Sequence, residues 1–141
     1  MSLFALPLLA AALSTGETAQ INDALLADLP VKQVVLNAHG KKQSCEGPSL
    51  ASVVARLGVL QGEKLRGPAL AQAVVLRAKD GYEVAFSLGE IDPAMGNSPA
   101  IIAVRCDGQP LIMGEGPYRL IVPGEKRPAR SAKMVTSIRI K

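Results

Sequence analysis

Ala73-Val74-Val75-Leu76-Arg77-Ala78, then Lys79-Asp80-Gly81, then Tyr82-Glu83-Val84-Ala85-Phe86-Ser87-Leu88 is the stretch on which the fold turns. Apolar and β-branched residues flank an Asp-Gly pair, and Asp-Gly tolerates the positive φ angles of a type I′ hairpin turn. On the second arm Tyr82, Val84, Phe86 and Leu88 alternate onto one face, which predicts that this face is buried. Ser87 and Glu90 then stand at capping-box spacing and predict one helical turn, ended at Asp92-Pro93.

Working outward, Val31 to Ala38 reads as a strand, turned by His39-Gly40-Lys41 into a partner ending near Cys45. Leu50, Val53, Val54 and Leu57 recur at helical spacing, opened by Pro48-Ser49 and closed by Gly58. Asp23 to Leu29 forms a short lead-in stopped by Pro30, and Gly62, Gly67 and Pro68 break the stretch after the helix. Ala100 to Val104 is short and wholly apolar, as a central strand requires, and Asp107-Gly108 turns it. Tyr118 to Val122 and Val135 to Ile140 supply two further strands around a basic loop, Glu125 to Lys133. Many short strands, few helices and no βα alternation predict an α+β domain with mixed sheets.

The chain has 141 residues, 48% hydrophobic and 20% charged, which suits one packed domain rather than a disordered segment. There are two Tyr, two Phe and no Trp, so Val, Leu, Ile and Ala must fill the core. Leu50, Val53, Val54, Leu57, Val84, Phe86, Ile101 and Leu120 are the expected packing positions. So few aromatic platforms weigh against single-stranded nucleic acid, and no nucleic-acid partner is expected. The net charge is +4, and Arg119, Lys126, Arg127, Arg130, Lys133, Arg139 and Lys141 crowd the C-terminal quarter against one acid, Glu125. That quarter suits either a plain solvated face or a partner carrying phosphate or other negative charge.

Leu3 to Leu13 is apolar and uncharged, but too short for a bilayer, which needs roughly 20 residues. It resembles the apolar segment of a secretory leader, so residues 1–19 are expected to be a signal peptide or its remnant and 20–141 the domain. No membrane span is expected, and the location predicted is periplasmic or secreted. In an oxidising compartment Cys45 and Cys106 are a candidate disulfide; two unrelated buried thiols are the other reading. With His39 as the sole histidine and no CxxC spacing, no metal site is expected.

Four stretches resemble the molybdopterin-binding domain of sulfite-oxidase-type oxidoreductases. They are Glu46-Gly47-Pro48-Ser49-Leu50 with its following helix; Asp80-Gly81-Tyr82 with Phe86 to Glu90; Asp107-Gly108-Gln109-Pro110-Leu111; and Gly116 to Gly124 with Ala129 to Lys133. They occur in family order over most of the chain. The resemblance implies a sulfite-oxidase-like fold and, where activity is retained, molybdopterin as cofactor. It also implies a molybdenum-ligating cysteine well upstream of the Gly47-Pro48 helix. Cys45 stands only two residues before Gly47, and Cys106 follows the central strand, so neither aligns with that ligand. The reading is therefore a degenerate member with no cofactor expected, acting as a module for an anionic ligand or a protein partner. A molybdopterin-dependent oxidoreductase is the alternative.

The part that survives is the basic loop that in the family surrounds the pterin phosphate. Arg130, Ser131 and Lys133, with Arg127 auxiliary, are its candidate contacts for a phosphate-bearing small molecule. No catalytic residue is assigned. His39 lies in a turn and no GxSxG surrounds a serine, which leaves no nucleophile–base set. Glu90 has a capping role, and Gly114-Glu115-Gly116 lacks the strand-to-helix setting of a phosphate-binding motif.

Overall fold

The computed structural model describes residues 12–59 and 61–141; the apolar leader, apart from Ala12 and Leu13, lies outside them. Three small sheets carry the chain. The first orders its strands β1 (Thr18–Gln20), β10 (Val135–Ile140), β4 (Ala73–Ala78), β5 (Glu83–Ser87). The second orders β2 (Val31–Ala38), β3 (Lys41–Pro48), β7 (Arg105–Cys106), β8 (Gln109–Pro110), and the third pairs β6 (Ile101–Ala103) with β9 (Arg119–Ile121). Every ladder is antiparallel, so the mixed sheets expected from sequence are not what forms. The molecule is mostly β with few helices. β1 bonds to β10 from Thr18 onward, and the Gly16 N–H donates to the Ile140 carbonyl at 2.6 Å. β1 therefore runs across position 19/20.

The helices are α1 (Asp23–Leu26), α2 (Leu50–Arg56) and α3 (Leu88–Ile91). α2 buries Leu50, Val53 and Val54 and is capped by the Ser49 hydroxyl, which accepts from the Ser52 N–H at 3.1 Å. Its end is a Schellman closure, with Val59 N–H donating to Val54 and Gly58 N–H to Ala55. Ahead of it Gly47 is fixed by close approach: a Cβ there would lie 1.9 Å from the Ile102 carbonyl oxygen, so β3 can cross β6 only without a side chain. The main core joins α2, α3 and the inner face of the first sheet around Phe86, Leu76 and Ile138. A smaller core sits between the other two sheets, where Leu36, Cys45 and Cys106 meet Ile101, Ala103 and Ile121.

Turn chemistry falls differently from the sequence expectation. At Asp80-Gly81 only Gly81 has positive φ (93°), and Ala78 N–H donates to the Tyr82 carbonyl across a three-residue connection. This is a type I turn closed by a glycine bulge. The true type I′ pairs are His39-Gly40 (φ 53° and 76°) and Asp107-Gly108 (φ 53° and 77°). The bulge also shifts the start of β5, so Val84 and Phe86 are buried while Tyr82 stays 48% exposed, contrary to the alternation.

Candidate ligand-binding cleft

β3 and β7 run side by side with Cys45 directly opposite Cys106. Their sulfurs are bonded at 2.05 Å with Cα atoms 4.0 Å apart, and both residues are buried. The sequence holds no other cysteine, so no thiol is free. Among the described residues no three His, Cys, Asp or Glu side chains gather as a metal site, and no helix is long and apolar enough to cross a membrane.

Arg130 ends a 3₁₀ turn, Pro128–Arg130, and its guanidinium points back toward β5 and α3. Nη1 donates to the Ala85 carbonyl (2.8 Å) and to Glu90 (3.2 Å), and Nη2 to Glu90 (2.7 Å) and Glu125 (2.6 Å). Nε donates to Glu125 at 3.2–3.3 Å, and the plane lies 4.3 Å over the Phe86 ring. These bonds engage all five N–H donors that an arginine has. Hydrogen bonds to Glu90 and then Glu125 hold it charged, raising its pKa above the ordinary arginine value. Glu90 therefore does not complete a capping box. The Ser87 hydroxyl accepts from its N–H at 3.0 Å, but its carboxylate goes to Arg130.

Ser131 is buried, and its hydroxyl oxygen accepts from the Val122 N–H at 2.9 Å. Its carbonyl accepts from Nε of Arg119 at 3.4 Å. Arg119 is 6% exposed and pairs with Glu115 at 3.3 Å; burial lowers its pKa and Glu115 opposes that shift. The motif that carried the resemblance thus supplies an internal tie between the loop after Leu111 and the basic loop. Lys133 and Arg127 are exposed. The four candidate contacts do not converge: Arg130 borders a hollow with Glu90 and Glu125, whereas Ser131 and Lys133 line another.

That second hollow, about 410 Å³, adjoins one of about 390 Å³, and both have Gly114 and Met134 in their walls. Ile21, Met113, Pro117, Tyr118 and Val135 give the larger part of the first an apolar lining, with Lys79 at its edge. Tyr82, Asp80 and Lys133 border the other. Met134 carries φ 52°, a left-handed conformation uncommon without glycine. Two bonds hold it there: its N–H donates to the Glu115 carbonyl and its carbonyl accepts from the Lys79 N–H, each at 2.9 Å.

Both tyrosine hydroxyls brace the cleft. Tyr82 donates to the Ala129 carbonyl at 2.6 Å, and Tyr118 donates to the Asp23 carboxylate. Burial, followed by the bond to Asp23 and its charge, pushes the Tyr118 phenol up to about 12. Met113, in the wall of the first hollow, stands 97% exposed, and its neighbour Ile112 69%. Among the described residues neither Lys79 nor Lys133 has a carboxylate partner. Sequence reasoning missed Lys79, Met113 and Met134, which come from segments far apart in the chain. The exposed apolar pair Ile112-Met113, in an otherwise turn-rich stretch, was the available signal.

Residues 19–141 match the family profile of the oxidoreductase molybdopterin-binding domain. No curated protein matches the chain. A match over so much of its length makes the chain a member of that family.

Proposed function

Starting from that membership, we propose that the chain is an exported binding module rather than a molybdenum oxidoreductase, holding an anionic ligand with an apolar body in the Lys79–Lys133 cleft. The observation that carries this reading is the bond between Cys45 and Cys106. A metal-ligating cysteine acts as its thiolate, and a sulfur already bonded to another sulfur supplies none. The residues therefore do not fit thiolate-held molybdenum. Nor does Arg130 fit a phosphate: an incoming anion would meet Glu90 and Glu125 before the guanidinium.

The cleft has the opposite character. A mainly apolar hollow with Lys79 in its wall, adjoining a more polar one with Lys133 in its wall, suits a molecule with a hydrophobic body and a negative head. Lys133 and Ser131 line the half that would take the head, beside Tyr82 and an Asp80 whose carboxylate accepts from the Tyr82 N–H at 3.0 Å, with Arg127 adding positive field from the same loop. Export is supported by the disulfide, which persists in oxidising compartments, and by the apolar stretch Leu3 to Leu13.

The test is elemental analysis and pterin fluorescence of protein made in a host that synthesises the cofactor, beside titration with dodecyl phosphate. The expected result is no stoichiometric molybdenum, no fluorescent pterin, and saturable binding of the amphiphile that Lys79→Ala with Lys133→Ala weakens. Molybdenum at one atom per chain would overturn the module reading in favour of the oxidoreductase. Binding unaffected by both lysine changes would overturn the choice of cleft.

A further inference from the structure

The second sheet leaves β2 as an open edge, and its backbone phase shows what that edge offers. Ala38 and Lys41 close a two-residue hairpin, so Ala38, Leu36, Val34 and Lys32 exchange bonds with β3. The other side of β3 agrees: Ser44 and Glu46 direct their carbonyls to Asp107 and Val104 on the far side, leaving Cys45 and Gly47 to face β2. The N–H and C=O groups of Val31, Gln33, Val35 and Asn37 therefore point outward. Among the described residues none of these groups meets another backbone partner. Val31 and Val35 are 60% and 51% exposed, β-branched side chains on an eight-residue strand paired along one edge only. An exposed edge of this kind is a template for a further strand.

Charge selects the occupant. Lys32, Lys41 and Lys42 are exposed and, among the described residues, unpaired. The sheet's two acids are partly engaged: Asp107 accepts from the Ser44 N–H at 3.0 Å, and Glu46 sits opposite Arg105. We propose that β2 accepts an extended acidic peptide segment of a partner protein as an added strand of this sheet, with backbone bonds giving affinity and the lysines giving preference. A second copy of the chain fits less well. Its own charge is +4, and antiparallel pairing of two β2 edges would bring lysines of both copies to one seam.

The probe is a fluorescein-labelled octapeptide of alternating Val and Asp, with the Val and Lys counterpart as control, read by anisotropy on the full chain. The acidic peptide should bind, more weakly as salt rises, and the basic one should not. Val35→Pro removes an outward donor while sparing the ladder to β3, and should weaken binding roughly fivefold or more. Lys41→Glu with Lys42→Glu should reverse the preference between the two peptides. Lys133→Ala should change nothing here, which separates this edge from the cleft. Equal binding of both peptides, undiminished binding by a folded Val35→Pro, or a wild-type dimer abolished by that change would each overturn the proposal. Should Val35→Pro fail to fold by circular dichroism, a charge-reversed variant that still prefers the acidic peptide overturns it alone.

Discussion

Arg130 and Lys133 lie three residues apart on one basic loop, yet their surroundings are opposites. On the Arg130 side every N–H has an acceptor, two carboxylates neutralise the cation, and an aromatic face covers it. On the Lys133 side a cation without a carboxylate partner among the described residues borders a hollow that adjoins the one lined by the exposed Met113. The difference teaches that charge alone does not mark a binding site. A cation whose partners are supplied by its own chain is part of the fold, and one left without them is available to a ligand.

The comparison can be broken first where the fold is most tightly tied. Cys45→Ala with Cys106→Ala should cost about 2–5 kcal/mol of unfolding free energy, read by urea denaturation, because the bond closes a long loop and fills the smaller core. If cleft binding survives in the folded fraction, the two regions are independent. Next, Arg130→Ala leaves Glu90 and Glu125 facing each other without a cation, a change that should cost about 2–3 kcal/mol given its partial burial. Adding Glu90→Gln should recover part of that loss in a double-mutant cycle, and no recovery would mean the ion cluster is not what the arginine stabilises.

A smaller effect concerns Tyr118. Its pKa, pushed up to about 12 in the fold, lies above the ordinary phenol value of about 10, so the neutral phenol is the form the fold favours. The stability it contributes is full below about pH 10 and is lost as pH rises toward 12. Tyr118→Phe should therefore lose less stability than the wild type across that interval in paired alkaline melts. Smallest of all, Lys133→Ala should leave unfolding within about 0.5 kcal/mol of wild type while weakening dodecyl phosphate. A large stability loss there would erase the contrast with Arg130.

How much of this was legible in the sequence follows from the range of the signals. Strand-like runs bounded by turn residues placed β2, β4 and β10, alternation placed β5, and the spacing of Leu50, Val53 and Val54 placed α2, because such signals are local. Turn type was less legible. Asp-Gly permits either a two-residue or a three-residue connection, and the ladder chose the longer one at Asp80-Gly81, which set Tyr82 outside the core. The fate of Arg130 was not legible, since Glu90 lies 40 residues away and capping-box spacing gave it another role. The cleft was illegible for the same reason: Ile21, Lys79, Met113 and Met134 meet only after three separate strands have paired.

Met134 carries one more consequence. Its strained peptide is gripped from both sides, by the hairpin through Lys79 and by the loop through Glu115, and the residue lines both hollows. A ligand that displaced Met134 from either hollow would change the wall of the other, so occupancy of one half would be felt energetically in the other. By linkage that influence runs equally in each direction, which would let two weak half-site interactions act as a single cooperative grip.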